Sequence, residues 1–221
     1  MCGILVLSGD YGKLLKYVIS VDIHNPTALD LTPTGAGEIK HVRVPGIVAH
    51  EDAGFLADGA HIFVTGRDAS GKRATWLTDL EGKDARPLPL PAGRILRFNT
   101  FSPDGARFVA SCPEGTYGSC FYDTLTGTPT PVPGTQKSWV AIATDRKGRL
   151  YYREETKDQP DTLVRLDLAT GKLTRLSELA PHGDRAGFFG LLSVKVAGDG
   201  EAWAFTFLRR LSNLHVVTGL K

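Results

Sequence analysis

Three cysteines, one methionine and six histidines make up the thiol, thioether and imidazole inventory of this 221-residue chain. Three cysteines are too few for a disulfide-built scaffold. The histidines, His24, His41, His50, His61, His182 and His215, share no common position in any repeat, so they do not form a ring of metal ligands. No apolar run approaches the 18 or so residues a membrane span needs. Excess charge is also missing, because 26 basic residues face 24 acidic ones and leave a net +2. No Lys/Arg run is dense enough to suggest a nucleic-acid or membrane-surface patch. The N-terminus has a short apolar run but no basic segment before it, so it does not read as a signal peptide. As encoded, the chain would be cytoplasmic.

Glycine and proline are plentiful, with 25 and 13 residues respectively. They punctuate short alternating segments, of which Phe101-Ser-Pro-Asp-Gly-Ala-Arg-Phe-Val-Ala110 is the plainest. Asp-Gly between alternating apolar residues predicts a hairpin, since glycine takes positive φ without a Cβ clash. The turn recurs at Asp58-Gly59, Asp104-Gly105, Lys147-Gly148 and Asp199-Gly200, its glycines spaced by 46, 43 and 52 residues. A second turn recurs at Gly82, Gly127, Gly171 and Gly219, spaced by 45, 44 and 48. The two series keep step near the ~40–45-residue period of a four-stranded propeller blade. The fold class is therefore all-β, an array of four-stranded antiparallel units.

The units Phe55-Leu-Ala-Asp-Gly59, Phe101-Ser-Pro-Asp-Gly105 and Val196-Ala-Gly-Asp-Gly200 resemble the strand–turn–strand signature of TolB-like, WD-repeat-like β-propellers. The tail from Phe205 to Lys221 resembles the end of propellers that follow bacterial serine/threonine kinase domains. Asn213 and His215 depart from the Asp and Tyr of that ending, and Phe205 and Phe207 replace its tyrosines. The resemblance covers residues from about 13 to 221 and implies an extracytoplasmic location if the chain belongs to a receptor. No Gly-rich loop, His-Arg-Asp loop or Asp-Phe-Gly marks a kinase here.

The array predicts a single propeller over residues 1–221, or the C-terminal part of a larger one, with four full blades. Residues 1–12 read as a poorly fitting leader. Residues 14–23 and 28–32 read as the outer half of a blade whose inner half is absent. They would either close a ring by pairing with residues 193–217 or leave the propeller open. Open strand edges invite pairing, so self-association follows from the open alternative.

Several patterns invite chemistry and do not hold it. Met1-Cys2-Gly3-Ile4 resembles the start of class II glutamine amidotransferases, but a propeller repeat follows in place of that family's layered sheets. Residues 67–73 lack the spacing and helix of a phosphate loop. Glu154 and Glu155 are adjacent on a strand end and point to opposite faces, unlike a glycosidase pair. His182 and Asp184 have no third partner assignable from sequence. Cys112 and Cys120 bracket a hairpin loop and are either a disulfide or two half-buried thiols. Arg209 and Arg210 read as structural cations for a carboxylate of a neighbouring blade. Asp58, Gly59, Asp104, Gly105, Gly148, Asp199 and Gly200 are turn residues. No catalytic, cofactor-binding or metal-ligating residue is assigned, and no cofactor is expected.

The reading that follows from the resemblance is a non-catalytic sensor or interaction domain binding a protein, peptide or small ligand on one rim. It would be a detached part of a kinase-linked receptor, with no nucleic-acid partner and no membrane insertion. The alternatives are a propeller hydrolase or lyase using channel-lining His and carboxylates, and a truncated remnant without a role of its own.

Overall fold

The computed structural model describes residues 6–7, 17–21, 26–56, 58–90, 100–113, 118–157, 159–181 and 186–210. Within them the regular structure is strand, joined by turns and bends. Sheet I contains β1 (Val6–Leu7), β2 (Tyr17–Val21), β3 (Leu29–Pro33) and β4 (Lys40–Val42). Sheet II contains β5 (Ala49–Phe55), β6 (His61–Arg67), β7 (Arg73–Asp79) and β8 (Arg86–Pro87). Sheet III contains β9 (Arg107–Ser111), β10 (Ser119–Asp123) and β11 (Pro129–Pro131), with Phe101 bridging to Phe108 at its inner side. Sheet IV contains β12 (Trp139–Thr144), β13 (Leu150–Glu154), β14 (Thr162–Leu166) and β15 (Leu173–Glu178). Sheet V contains β16 (Phe188–Val196) and β17 (Trp203–Arg209). Strands adjacent in sequence pair antiparallel throughout, so each sheet is a meander.

The turn chemistry explains why the chain reverses where it does. In the first turn of sheets II to V, the amides of Gly59, Gly105, Gly148 and Gly200 donate to carbonyls three residues back at 2.8–3.1 Å. All four glycines have φ between +66° and +74°. An L-residue reaches that region only with strain, which is why glycine recurs there. The second turn opens on Asp79, Asp123 and Asp167, each separated by 44 residues. Each aspartate accepts two backbone amides of its own turn at 2.7–3.0 Å.

Strand alternation then sorts side chains between two neighbours. On β6, Ile62 and Val64 pack toward sheet I, while Phe63 joins Phe101, Phe108 and Tyr122 of sheet III. On β13, Leu150 and Tyr152 face sheet III, while Tyr151 joins Val194 of sheet V. Four apolar clusters thus fill the gaps between five consecutive sheets. Burial against neighbouring sheets, on both faces of II to IV and one face of I and V, at roughly 25 cal/mol per Å² of apolar area, is what holds each small sheet in place.

Two features depart from the sequence reading. Sheet I has four strands rather than an outer half alone. Val6 pairs with Ile19 and Leu7 with Val18, so part of the supposed leader is the inner strand β1. A two-residue strand carries too little periodicity to be seen in sequence. The second departure concerns closure. β2 and β3 pair within sheet I, and β16 pairs with β17, so the described residues show no ring closed by 14–32 on 193–217. Among the described residues the sheets form an open arc. Cys2, the His182–Asp184 pair, Gly219 and most of the tail motif lie outside the described residues.

Candidate functional site

The first turn of sheet II, its second turn, and the first turn of sheet III meet on one rim of the arc and enclose a cleft of about 320 Å³. Leu56 and Leu77 supply apolar wall, while Asp58, Asp79, Asp84 and Asp104 bring four carboxylates to its lining, with His61 and Arg86. The local fold fixes each of them. Asp58 Oδ1 accepts the amides of Ala60 and His61 at 2.9 and 3.0 Å, and Oδ2 lies 2.6 Å from His61 Nδ1. Partial burial raises the Asp58 carboxyl, but the bonds from His61 and the two amides outweigh it and leave the group below its ordinary range. Asp104 Oδ1 accepts the Ser102 hydroxyl at 2.5 Å and the Ala106 amide at 3.0 Å, and these bonds hold its carboxyl low. Asp79 spends Oδ1 on the amides of Glu81 and Lys83. Asp84 has φ +53°, a left-handed conformation that costs a non-glycine residue on the order of 1 kcal/mol. Arg86 reaches across to donate to the Thr124 carbonyl of sheet III at 2.6 Å, tying the two walls together.

A second ionisable group stands on the inner strand β5. Its register shifts between His50 and Asp52, a bulge that re-aims the side chains around it. Asp52 Oδ1 accepts the Ala53 amide at 2.9 Å. Burial pushes its carboxyl up to about 6, against the lowering fields of that amide, Lys195 of β16 and Arg73. His50, also on β5, faces sheet I, where Nδ1 lies 2.7 Å from the Pro26 carbonyl; burial lowers its pKa.

The residues singled out in the sequence fall in different places. Asp58, Asp104 and Gly105 come together at the cleft. Gly148 and Gly200 sit at corresponding turns farther along the arc, and the Asp199 carbonyl accepts from Arg149 at 2.7 Å. Cys112 and Cys120 lie in the core between sheets II and III. Arg209 donates to the Ala186 carbonyl within its own sheet at 2.9 Å, and the Arg210 amide donates to Gly187. Glu154 and Glu155 diverge as expected, one toward Trp139 and Arg175, the other toward Arg153. Asp79 and Asp84 were not anticipated, although the 44-residue recurrence of Asp79, Asp123 and Asp167 was there to be read. Among the described residues no group of three or more His, Cys, Asp or Glu is placed to hold a metal ion.

No protein-family model and no curated protein matches the chain. Solved structures do. The chain is similar to a TolB structure from Agrobacterium tumefaciens, with a TM-score of 0.66 and 16% identity over 94% of this chain and 70% of that one. It folds as a TolB-like β-propeller. TolB from Acinetobacter baumannii gives a TM-score of 0.60 at 15% identity, covering 89% of this chain and 46% of that one. Hydrazine synthase from Kuenenia stuttgartiensis gives 0.52 at 15%, covering 92% and 54%. The chain spans about half the length of these last two proteins. At such identities the likeness speaks for the fold, and the five sheets are propeller blades I to V.

Proposed function

We propose that this propeller is a non-catalytic interaction domain that takes a protein or peptide partner on the rim carrying its Asp-containing turns, at the cleft between blades II and III. The observation that carries this reading is the convergence of four carboxylates from three turns around a cleft with leucine walls. Such a site suits a lysine or arginine side chain, whose methylenes lie along Leu56 and Leu77 while its cation meets the carboxylates. That the chain is a detached part of a kinase-linked receptor belongs to the same proposal and rests on the likeness of the tail sequence.

The test is a screen of short peptides by fluorescence anisotropy, followed by hydrogen–deuterium exchange on the best binder. Slowed exchange at residues 56–61, 78–86 and 104–107 supports the cleft. Slowed exchange confined to the opposite rim, or to the inner strands, sinks it.

A catalytic reading has one group in its favour, the half-buried Asp52 carboxyl, since perturbed carboxylates cluster at functional sites. The described histidines do not extend that arrangement: His50 is bonded to Pro26, His41 to Asp30 and His61 to Asp58. Asp52→Asn measured against a panel of ester and glycoside substrates decides the matter, and turnover lost with that variant would favour an enzyme.

A further inference from the structure

Cys112 follows β9 and Cys120 is the second residue of β10, yet the two are not directly opposed. Cys120 pairs with Ala110, and the Cys112 amide donates to the Gly118 carbonyl at 3.2 Å. This diagonal placement still brings the Cα atoms to 4.9 Å, within the span of a disulfide, and the two sulfurs are bonded. Both residues are interior, at 4% and 1% exposure. They belong to the cluster that joins Phe63 and Leu77 of blade II to Phe108 and Tyr122 of blade III.

Thiol–disulfide exchange requires an external thiolate to approach one sulfur, so access controls the rate as much as reactivity does. A bond set between two packed blades offers no such approach while the core stays closed. We propose that Cys112–Cys120 is a folding-coupled cross-link. A thiol–disulfide oxidant makes it while blade III is still open to solvent, and closure of the II/III core then seals it from external thiols. In the first step one cysteine thiolate attacks the oxidant's disulfide and releases one thiol. The second cysteine displaces the other thiol from the mixed disulfide. Two protons and two electrons pass from the cysteines to the two thiols released. Because the cysteinyl sulfurs belong to the packed core, the bond is a brace of the fold rather than a surface switch. It also ties productive folding to a compartment where such an oxidant is present.

The test uses the full chain with Cys2→Ser, refolded with a glutathione redox pair. The protein is incubated with dithiothreitol in native buffer and at rising urea, quenched with N-ethylmaleimide, and weighed by intact mass spectrometry. Tryptophan fluorescence is followed in parallel. The expected result is no maleimide adduct in native buffer over hours, with two adducts appearing in step with the unfolding transition. The reduced protein should melt about 5–10 °C lower than the oxidised one. Two adducts formed in native buffer with an unchanged fluorescence signal would show an accessible bond and overturn the proposal. So would two free thiols in the folded, oxidant-treated protein. The Cys112→Ser/Cys120→Ser variant gives the melting difference without reductant, and the native-buffer experiment stands even if that variant does not fold.

Discussion

Tyr151 on β13 donates its hydroxyl to Asp145 Oδ2 at 3.0 Å, and both groups are buried at the boundary between blades IV and V. Arg149 adds its Nε–H to the same oxygen at 2.5 Å and reaches the Asp199 carbonyl of blade V at 2.7 Å. Asp145 Oδ1 is occupied by the amides of Lys147 and Arg149. Burial and the neighbouring carboxylate push the Tyr151 phenol up to about 12, so it remains a donor at physiological pH. One buried aspartate therefore closes its own turn and, through Tyr151 and Arg149, fastens the next blade.

That arrangement leaves no room beside Gly200. A Cβ there would meet the Tyr151 hydroxyl, with Arg149 Nη2 at 2.6 Å and Asp145 Oδ2 at 2.7 Å, at a residue whose φ is already +72°. Gly200→Ala should cost about 2–4 kcal/mol. Gly148→Ala has a similar φ and open space, and should cost about 1–2 kcal/mol from backbone strain alone. Urea denaturation of both variants measures the difference. Equal losses would show that the cluster yields without cost.

Removing the donor tests the network itself. Tyr151→Phe leaves Asp145 short of one hydrogen bond in a buried setting and should cost about 1–3 kcal/mol. A melting temperature unchanged from wild type would mean that Tyr151 contributes only through its ring.

Asp52 carries a pH dependence of definite sign. Its folded carboxyl is pushed up to about 6, above the ordinary aspartate value of 3.8. The folded state thus holds the proton more tightly than the unfolded state. The stabilisation from that proton is complete below about pH 4 and is lost as pH rises through 6. Asp52→Asn should therefore be more stable than wild type at pH 7.5, by no more than about 3 kcal/mol. The two proteins should converge by pH 4. Thermal melts across this range check it, and a variant less stable than wild type at pH 7.5 would contradict the burial argument.

The open ends of the arc predict the solution state. Blade I packs Ile19, Leu29 and Leu31 against blade II and turns Ser20, Asp30, Thr32 and His41 the other way. Blade V packs Val194 and Phe205 against blade IV, turns Lys195, Ala204 and Thr206 outward, and leaves Phe189, Leu192, Trp203, Phe207 and Leu208 exposed. Terminal repeats of an array need polar outer faces for solubility, and blade V, with five exposed large apolar side chains, does not meet that need. Light scattering during gel filtration should give a concentration-dependent mass above the 23.9 kDa of one chain. A mass of one chain at every concentration would show instead that the end faces stay apart in water.

The glycine periodicity carried most of this architecture, because a positive φ leaves few alternatives to glycine at each turn. Gly59, Gly105, Gly148 and Gly200 mark the blades as plainly in the sequence as in the fold. Asp145 escaped notice because its turn reads Asp-Arg-Lys-Gly, with the aspartate at the head rather than beside the glycine. Ring closure could not be settled from sequence, since residues 14–32 read equally well as a seal for the last blade and as part of the first. The cleft was hidden for another reason. Its lining comes from residues 56–61, 77–86 and 104–105, brought together only when blade III stacks on blade II. Strand patterns describe each blade and say nothing of the turns a neighbour will share.

The measurement that bears most directly on the proposed role is the affinity of the best lysine- or arginine-containing peptide for wild type and for Asp79→Asn/Asp84→Asn. Asparagine keeps the turn's acceptor at position 79 and tolerates the left-handed backbone at position 84, so the pair removes charge with little damage to the fold. The account predicts at least a tenfold loss of affinity and, for wild type, binding that weakens as salt is raised. Equal affinity for both proteins would place the partner elsewhere and contradict a role for this cleft.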